Sequence, residues 1–153
     1  MLVNAWLMRL IMNLYPPLRG AGIDVTHISS DFRKVEVKLA LKWYNRNLFG
    51  THYGGSLYGM TDPFYTLMLS RVLGRDYTVA HQGGKIKYML ATKETAVAKF
   101  EITDAMVEDI KLRAKDGNKY LPLLIADVKT VGGETIAVAE HTIYIRKRYG
   151  QAS

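Results

Sequence analysis

The sequence predicts an α+β domain in which a long, apolar central helix is wrapped by an antiparallel sheet of five or six strands. Three observations carry that expectation. Several segments alternate apolar and polar residues with a period of two, as strands with one buried face do. The segment Phe64–Gly74 is apolar on most sides, with Arg71 its only charge, so it needs a covering surface. This helix falls between one early strand and a run of four more, an order that suits an antiparallel sheet with one face to cover.

The first element expected is an amphipathic helix over about residues 2–15. Leu2, Trp6, Leu10 and Asn13/Leu14 recur at helical spacing, and Pro16-Pro17 end the helix in a turn. Docking on the body of the protein is its first reading. Membrane-surface contact is second, because Arg9 is its single charge. In Arg33–Lys42, Val35, Val37, Leu39 and Leu41 face one way, which makes a half-buried strand. After the glycine-rich stretch, the helix runs through Phe64, Leu67, Met68 and Val72 to a stop at Gly74. A second strand covers Val79–Leu90, with Gly83-Gly84 as a bulge or a point of close backbone approach. A third covers Thr95–Ile102. Thr103-Asp104 then cap a short surface helix that reaches Lys115 and is ended by Asp116-Gly117-Asn118. Strands over about Tyr120–Thr130 and Thr135–Arg148 close the chain, joined by a hairpin at Gly132-Gly133.

The 153 residues read as a single domain, 1–153, and 48% apolar with 23% charged residues argues against disorder. There is no cysteine, so disulfides, thiol catalysis and thiolate metal sites are excluded, and a reducing compartment, the cytoplasm, is expected. No apolar run reaches the roughly 18 residues of a membrane span, and the N-terminus lacks the features of a signal peptide. A net charge of +7 suits an anionic partner. The basic residues are scattered, however, and the densest group is Arg146-Lys147-Arg148. Nucleic acid and membrane are therefore not expected partners.

Several chemistries fail on spacing. The histidines His27, His52, His81 and His141 lie 25, 29 and 60 residues apart, so no pair has local ligand spacing and no metal is expected. Ser56 sits in Gly54-Gly55-Ser56-Leu57-Tyr58, where Tyr58 takes the place of a nucleophile elbow's second glycine. Gly83-Gly84-Lys85 is followed by Ile86 where a phosphate loop needs Ser or Thr. Gly20-Ala21-Gly22 lacks a third glycine.

What remains is NLFGTHYGGSLYGMTDP, residues 47–63, with four glycines and one acid, Asp62. Backbone N–H groups at a helix start are unpaired and partly positive, and glycine lets a substrate approach them. A thioester carbonyl there would have its oxyanion stabilised, with Gly55 at the centre of the hole. A carboxylate can then serve as base or nucleophile, and Asp62 is the only acid between Glu36 and Asp76. If the helix begins near Gly55, Asp62 lies on nearly the same face about 10 Å along the axis. One carbonyl cannot reach both points on one chain, so this chemistry needs at least a two-fold dimer. A second reading has no catalysis: Asp62 caps a helix that starts at Pro63, and Gly50–Gly59 is a loop.

The order Asn47-x-x-Gly50-Thr51-x-Tyr53-Gly54-Gly55, with Asp62 at its distance, resembles the hotdog-fold thioesterases of the phenylacetate-pathway type. Gly84-Lys85-Ile86-Lys87-Tyr88-Met89 is similar to the strand after their central helix, and the order of strands agrees. The likeness extends to an uncharacterised bacterial branch related to the hotdog domain of some acetyltransferase fusions. It implies an acyl-CoA or acyl-carrier thioester substrate, with coenzyme A as part of the substrate and no cofactor. It also implies a homodimer or a dimer of dimers. The resemblance makes Asp62 the base or nucleophile and Asn47 a positioning group. The Tyr53-Gly54-Gly55 region becomes the oxyanion hole, with Ser56 beside it, and basic residues such as Lys85 and Lys87 become phosphate contacts. Tyr53 stands where those enzymes have histidine, with His52 one place early, and Pro63 directly follows the acid. His52 reads first as a structural hydrogen-bonding group and second as a substrate contact. The rival function is a non-catalytic hotdog protein that binds a fatty acyl chain or another apolar ligand.

Overall fold

The computed structural model describes residues 3–148. Helix α1 (Ala5–Leu14) is capped by the Asn4 side chain, which accepts from the Leu7 N–H. The two prolines do not end it in a simple turn; they open a second short helix, α2 (Pro16–Ala21). Proline is at home at the first helical positions, where its missing N–H would be unpaired anyway. The face of α1 that docks is also different from the stripe read from the sequence. Ala5 is buried and Met8 and Met12 pack on the core, whereas Trp6, Leu10 and Leu14 are exposed; Leu2 lies outside the described residues.

Strand β1 (Ile23–Ile28) pairs with β2 (Lys34–Leu39) and was not anticipated. A register shift between Val25 and His27 breaks its alternation, which removes the period-two signal. The remaining strands are β3 (Tyr77–Tyr88), β4 (Ala96–Glu101), β5 (Leu123–Thr130) and β6 (Thr135–Lys147). They form one six-stranded antiparallel sheet in the order β1-β2-β4-β5-β6-β3. The surface helix α5 (Asp104–Arg113) follows β4 and is capped by Thr103, as expected.

The central helix comes in two pieces. Helix α3 (Gly54–Gly59) starts one residue before the expected Gly55, and α4 (Phe64–Leu73) resumes after a turn at residues 60–63. Pro63 has no N–H to give the Gly59 carbonyl, so the helical ladder must break there. Asp62 does not cap α4: Pro63 holds the cap position and no side chain bonds to the helix start.

Phe64, Tyr65, Met68, Leu69 and Leu73 of α4 are buried against the inner face of the sheet. That face is built by alternate residues, among them Val35, Val37 and Leu39 of β2, Ala98 and Phe100 of β4, and Ala139, Ile143 and Ile145 of β6. The two edges of the sheet are managed differently. At β1, Asn13 of α1 accepts from the Val25 N–H at 2.7 Å and donates to the Val25 carbonyl at 3.0 Å, so the helix covers that edge. At the other end β3, twelve residues long, has no neighbouring strand on its outer side among the described residues.

The Phe64 ring is wholly buried and lies 5.2 Å from Phe100, centroid to centroid. Phe64→Ala is expected to cost about 3–5 kcal/mol, read as a lower urea midpoint with an unchanged slope.

Candidate active site

The loop leading into α3 is held by Asn47. Its amide donates to Thr51 Oγ1 at 2.8 Å and to the His52 carbonyl at 3.1 Å, and its oxygen accepts from the Phe49 and Thr51 N–H groups. All four hydrogen-bonding positions of the side chain are thus used inside the loop. His52 is buried, with Nε2 2.6 Å from the Glu94 carbonyl; that contact puts the proton on Nε2 and leaves Nδ1 unpaired in the interior.

Two tyrosine rings lie close over the backbone of Gly54 and Gly55. A β-carbon on Gly54 would meet the Tyr88 ring at 2.9 Å, and one on Gly55 would run into the Tyr53 ring. Tyr88 also donates to the Gly54 carbonyl at 2.9 Å. Among the described residues, neither the Gly54 nor the Gly55 N–H has a partner. Gly55 borders a cavity of about 610 Å³. Leu18 and Ile23 give it apolar wall, Tyr53, Ser56 and Tyr58 line it further, and Asp62 reaches it from the α3–α4 turn.

Asp62 is not alone there. Its Oδ1 lies 3.0 Å from His81 Nδ1, His81 Nε2 lies 3.2 Å from His141 Nδ1, and His141 Nε2 lies 2.9 Å from Thr61 Oγ1. The Thr61 hydroxyl in turn donates to the Tyr58 carbonyl at 2.8 Å. In the β3–β6 ladder His81 stands opposite Ile143, so His81 and His141 are diagonal neighbours on the inner face. His141 is completely buried. Burial, and then the neighbouring His81, hold it below the ordinary histidine value of 6.5, with Asp62 pulling the other way. Burial, then Asp62, pushes the Tyr58 phenol up. Tyr58 reaches across to β3: a methyl on Gly84 would collide with its hydroxyl and come within 2.9 Å of the Glu140 carbonyl oxygen. The close backbone approach expected at Gly83-Gly84 is therefore real, and a register shift before Gly83 accompanies it.

Within one chain, the residues singled out from sequence separate into three groups. Gly55, Tyr53, Ser56 and Asp62 share the large cavity. Asn47, His52 and Gly54 border a smaller cleft of about 320 Å³ beside Tyr88. Lys85 and Lys87 lie further along β3, exposed, with Lys85 Nζ 3.0 Å from Glu140 Oε2. Sequence spacing missed His81, His141 and Thr61. It left the histidines unrelated, yet Asp62, His81 and His141 offer ligand atoms within 4.8 Å of one another, the donor set a cation would need. The available signal was His141 itself, a histidine in the inward row Ala137, Ala139, Ile143, Ile145.

The family described as a domain of unknown function, DUF4442, matches residues 4–145. The chain belongs to this family. No curated protein matches it. Among solved structures, it is similar to a Pseudomonas aeruginosa protein of unknown function described as a probable thioesterase, at 13% identity and a TM-score of 0.82, covering 97% of this chain and 99% of that one. A Haemophilus influenzae thioesterase matches at 11% identity and 0.70, covering 100% and 97%. A Chlorobaculum tepidum protein of unknown function matches at 14% and 0.70, covering 91% of each. These likenesses show the fold: this DUF4442 chain is a hotdog, its broken helix lying in the curl of the sheet.

A buried histidine whose affinity for a proton is lowered by folding makes the unfolded chain the better proton binder just below its ordinary value of 6.5. Its contribution to stability is therefore complete above that pH and is lost as the pH falls through the lowered value. Urea unfolding from pH 7.5 to 5 is expected to show a decline that is shallower in His141→Gln, which keeps a neutral donor toward Thr61.

Proposed function

We propose that this protein hydrolyses an acyl thioester, carried on coenzyme A or on an acyl-carrier protein, with Asp62 as the base or nucleophile. The observation that carries the reading is the shared cavity. One largely apolar chamber of about 610 Å³ has the Asp62 carboxylate on its wall and the glycine backbone of Gly55 beside it. An acyl chain suits the apolar wall, and a carbonyl near Gly55 would meet an N–H that has no partner among the described residues. Two proteins of the same fold, the Pseudomonas aeruginosa probable thioesterase and the Haemophilus influenzae thioesterase, support the same class.

In the base form of the mechanism, Asp62 takes a proton from water as the water oxygen bonds to the carbonyl carbon. The carbon–sulfur bond then breaks, and the proton passes to the departing sulfur, leaving a carboxylic acid and a thiol. Asn47 acts by ordering the loop that presents Gly54 and Gly55, since its own amide is fully engaged. In this reading Tyr53 and Ser56 line the approach to the carbonyl, His52 borders the neighbouring cleft, and Lys85 and Lys87 are assigned to the carrier's phosphates. No cofactor enters these steps; coenzyme A comes only as part of the substrate.

The reading includes a homodimer or a dimer of dimers. The free edge of β3, in contrast to the covered edge of β1, supports pairing between protomers there. A cytoplasmic setting is part of the same reading.

The apolar wall also suits a non-catalytic carrier of fatty acyl chains, and one experiment separates the two. Across a panel of acyl-CoAs of increasing length, the parent should release free thiol. Asp62→Asn should lose about 100-fold or more in rate while keeping its sedimentation behaviour. Saturable fatty-acid binding with no thiol release by the parent would favour the carrier.

A further inference from the structure

The hydrogen bonds behind Asp62 have a direction that can be worked out from the end that has no choice. The Tyr58 carbonyl can only accept, so the Thr61 hydroxyl, at 2.8 Å, gives its single proton there. Thr61 Oγ1 must then accept from His141 Nε2–H at 2.9 Å. His141 is completely buried among apolar residues and Tyr58 and Tyr65, which keeps it neutral, with one N–H only. Its Nδ1 is therefore a lone pair, and it accepts from His81 Nε2–H at 3.2 Å. That leaves His81 Nδ1 facing Asp62 Oδ1 at 3.0 Å. Two lone pairs at that distance repel, so a proton lies between them. The imidazole nitrogen is the stronger base of the two, so the proton is assigned to the ring and the carboxylate oxygen accepts it.

We infer that Asp62 and His81 form an imidazolium–carboxylate pair whose direction is imposed by the Tyr58 carbonyl through Thr61 and His141, which makes His81 and His141 positioning residues for the Asp62 carboxylate. The mechanistic half of this inference rests on the thioester-hydrolase reading; the proton arrangement does not. The arrangement fixes which Asp62 oxygen points at the ring, leaving the other for the cavity. It also explains why a histidine with no outlet to solvent occupies an apolar row: it passes a hydrogen-bond direction from the helix turn to the carboxylate.

Metal coordination is the other use of an aspartate and two histidines. It asks for lone pairs aimed at a common centre about 2.0–2.1 Å away. Here each nitrogen of His81 is already engaged, one with Asp62 and the other with His141, so the three groups form a line of donors and acceptors.

The groups facing His81 are Asp62 from the α3–α4 turn and His141 from β6. Tyr58 of α3 and Tyr65 of α4 stand behind them, and burial pushes both phenols up, Tyr65 to about 12.

The test uses nitrogen-15 spectra of the histidine rings in the full-length protein at pH 7, with peaks assigned through His81→Asn and His141→Gln. The expected result is His141 neutral with its proton on Nε2, and His81 protonated on both nitrogens, losing that state in Asp62→Asn. His141 carrying its proton on Nδ1, or His81 with a bare Nδ1, would overturn the inference. So would one equivalent of zinc measured in the purified protein whose removal by a chelator changes both rings.

Kinetics on an acyl-CoA that the parent hydrolyses test the positioning role. His81→Ala should lower kcat about 10- to 100-fold with little change in KM, the equivalent of one charged hydrogen bond. His81→Asn, whose amide donates from the Nδ1 position, should recover most of that rate. A rate that stays low in His81→Asn, or a change confined to KM, would overturn the role. If the parent releases no thiol from any acyl-CoA, the hydrolase reading fails, and the ring protonation states alone decide the pair.

Discussion

The missing N–H of Pro63 is the constraint on which the rest of the site depends. Without it the central helix would run straight from Gly54 to Leu73, and residues 60–63 would be one more turn packed under the sheet. The break turns Thr61 toward His141 and Asp62 toward His81, two strands' worth of polar side chain that the apolar core could not otherwise satisfy. A buried polar group without a partner costs free energy on the scale of a whole domain's net stability divided among a few contacts. The kink and the histidines are therefore solutions to each other's problem.

The same economy appears at the glycines. Their role is less flexibility than clearance: Tyr88 packs where a β-carbon of residue 54 would be, Tyr53 where that of residue 55 would be, and the Tyr58 hydroxyl where that of residue 84 would be. Tyr53 and Tyr58 line the large cavity with Gly55, while Tyr88 and Gly54 border the neighbouring cleft.

The alternating strands after the helix and the capped surface helix were legible because each rests on local geometry: a pleat with one buried face, or a Thr–Asp start. Strand β1 was hidden by its own bulge, since a register shift moves the buried side chains out of step. The docking face of α1 was misread because Trp6, Leu10 and Leu14 outweigh Ala5, Met8 and Met12 in hydrophobicity, while packing space favoured the slimmer side. A likeness in seventeen residues carried the candidate acid, but the two local rules at Asp-Pro pointed opposite ways, and only the fold could choose. It broke the helix as proline requires and withheld the cap.

By itself the sequence determined the α+β class, a helix too apolar to stand alone, and the position of one acid beside a glycine-rich backbone. These follow from periodicity and composition, which act over a few residues. Tertiary structure decided what that acid touches. His81 and His141 are sixty residues apart and become diagonal neighbours only through the β3–β6 register. No local rule encodes a register between strands separated by two others and a helix, so the partner of the carboxylate exists only once the sheet has closed.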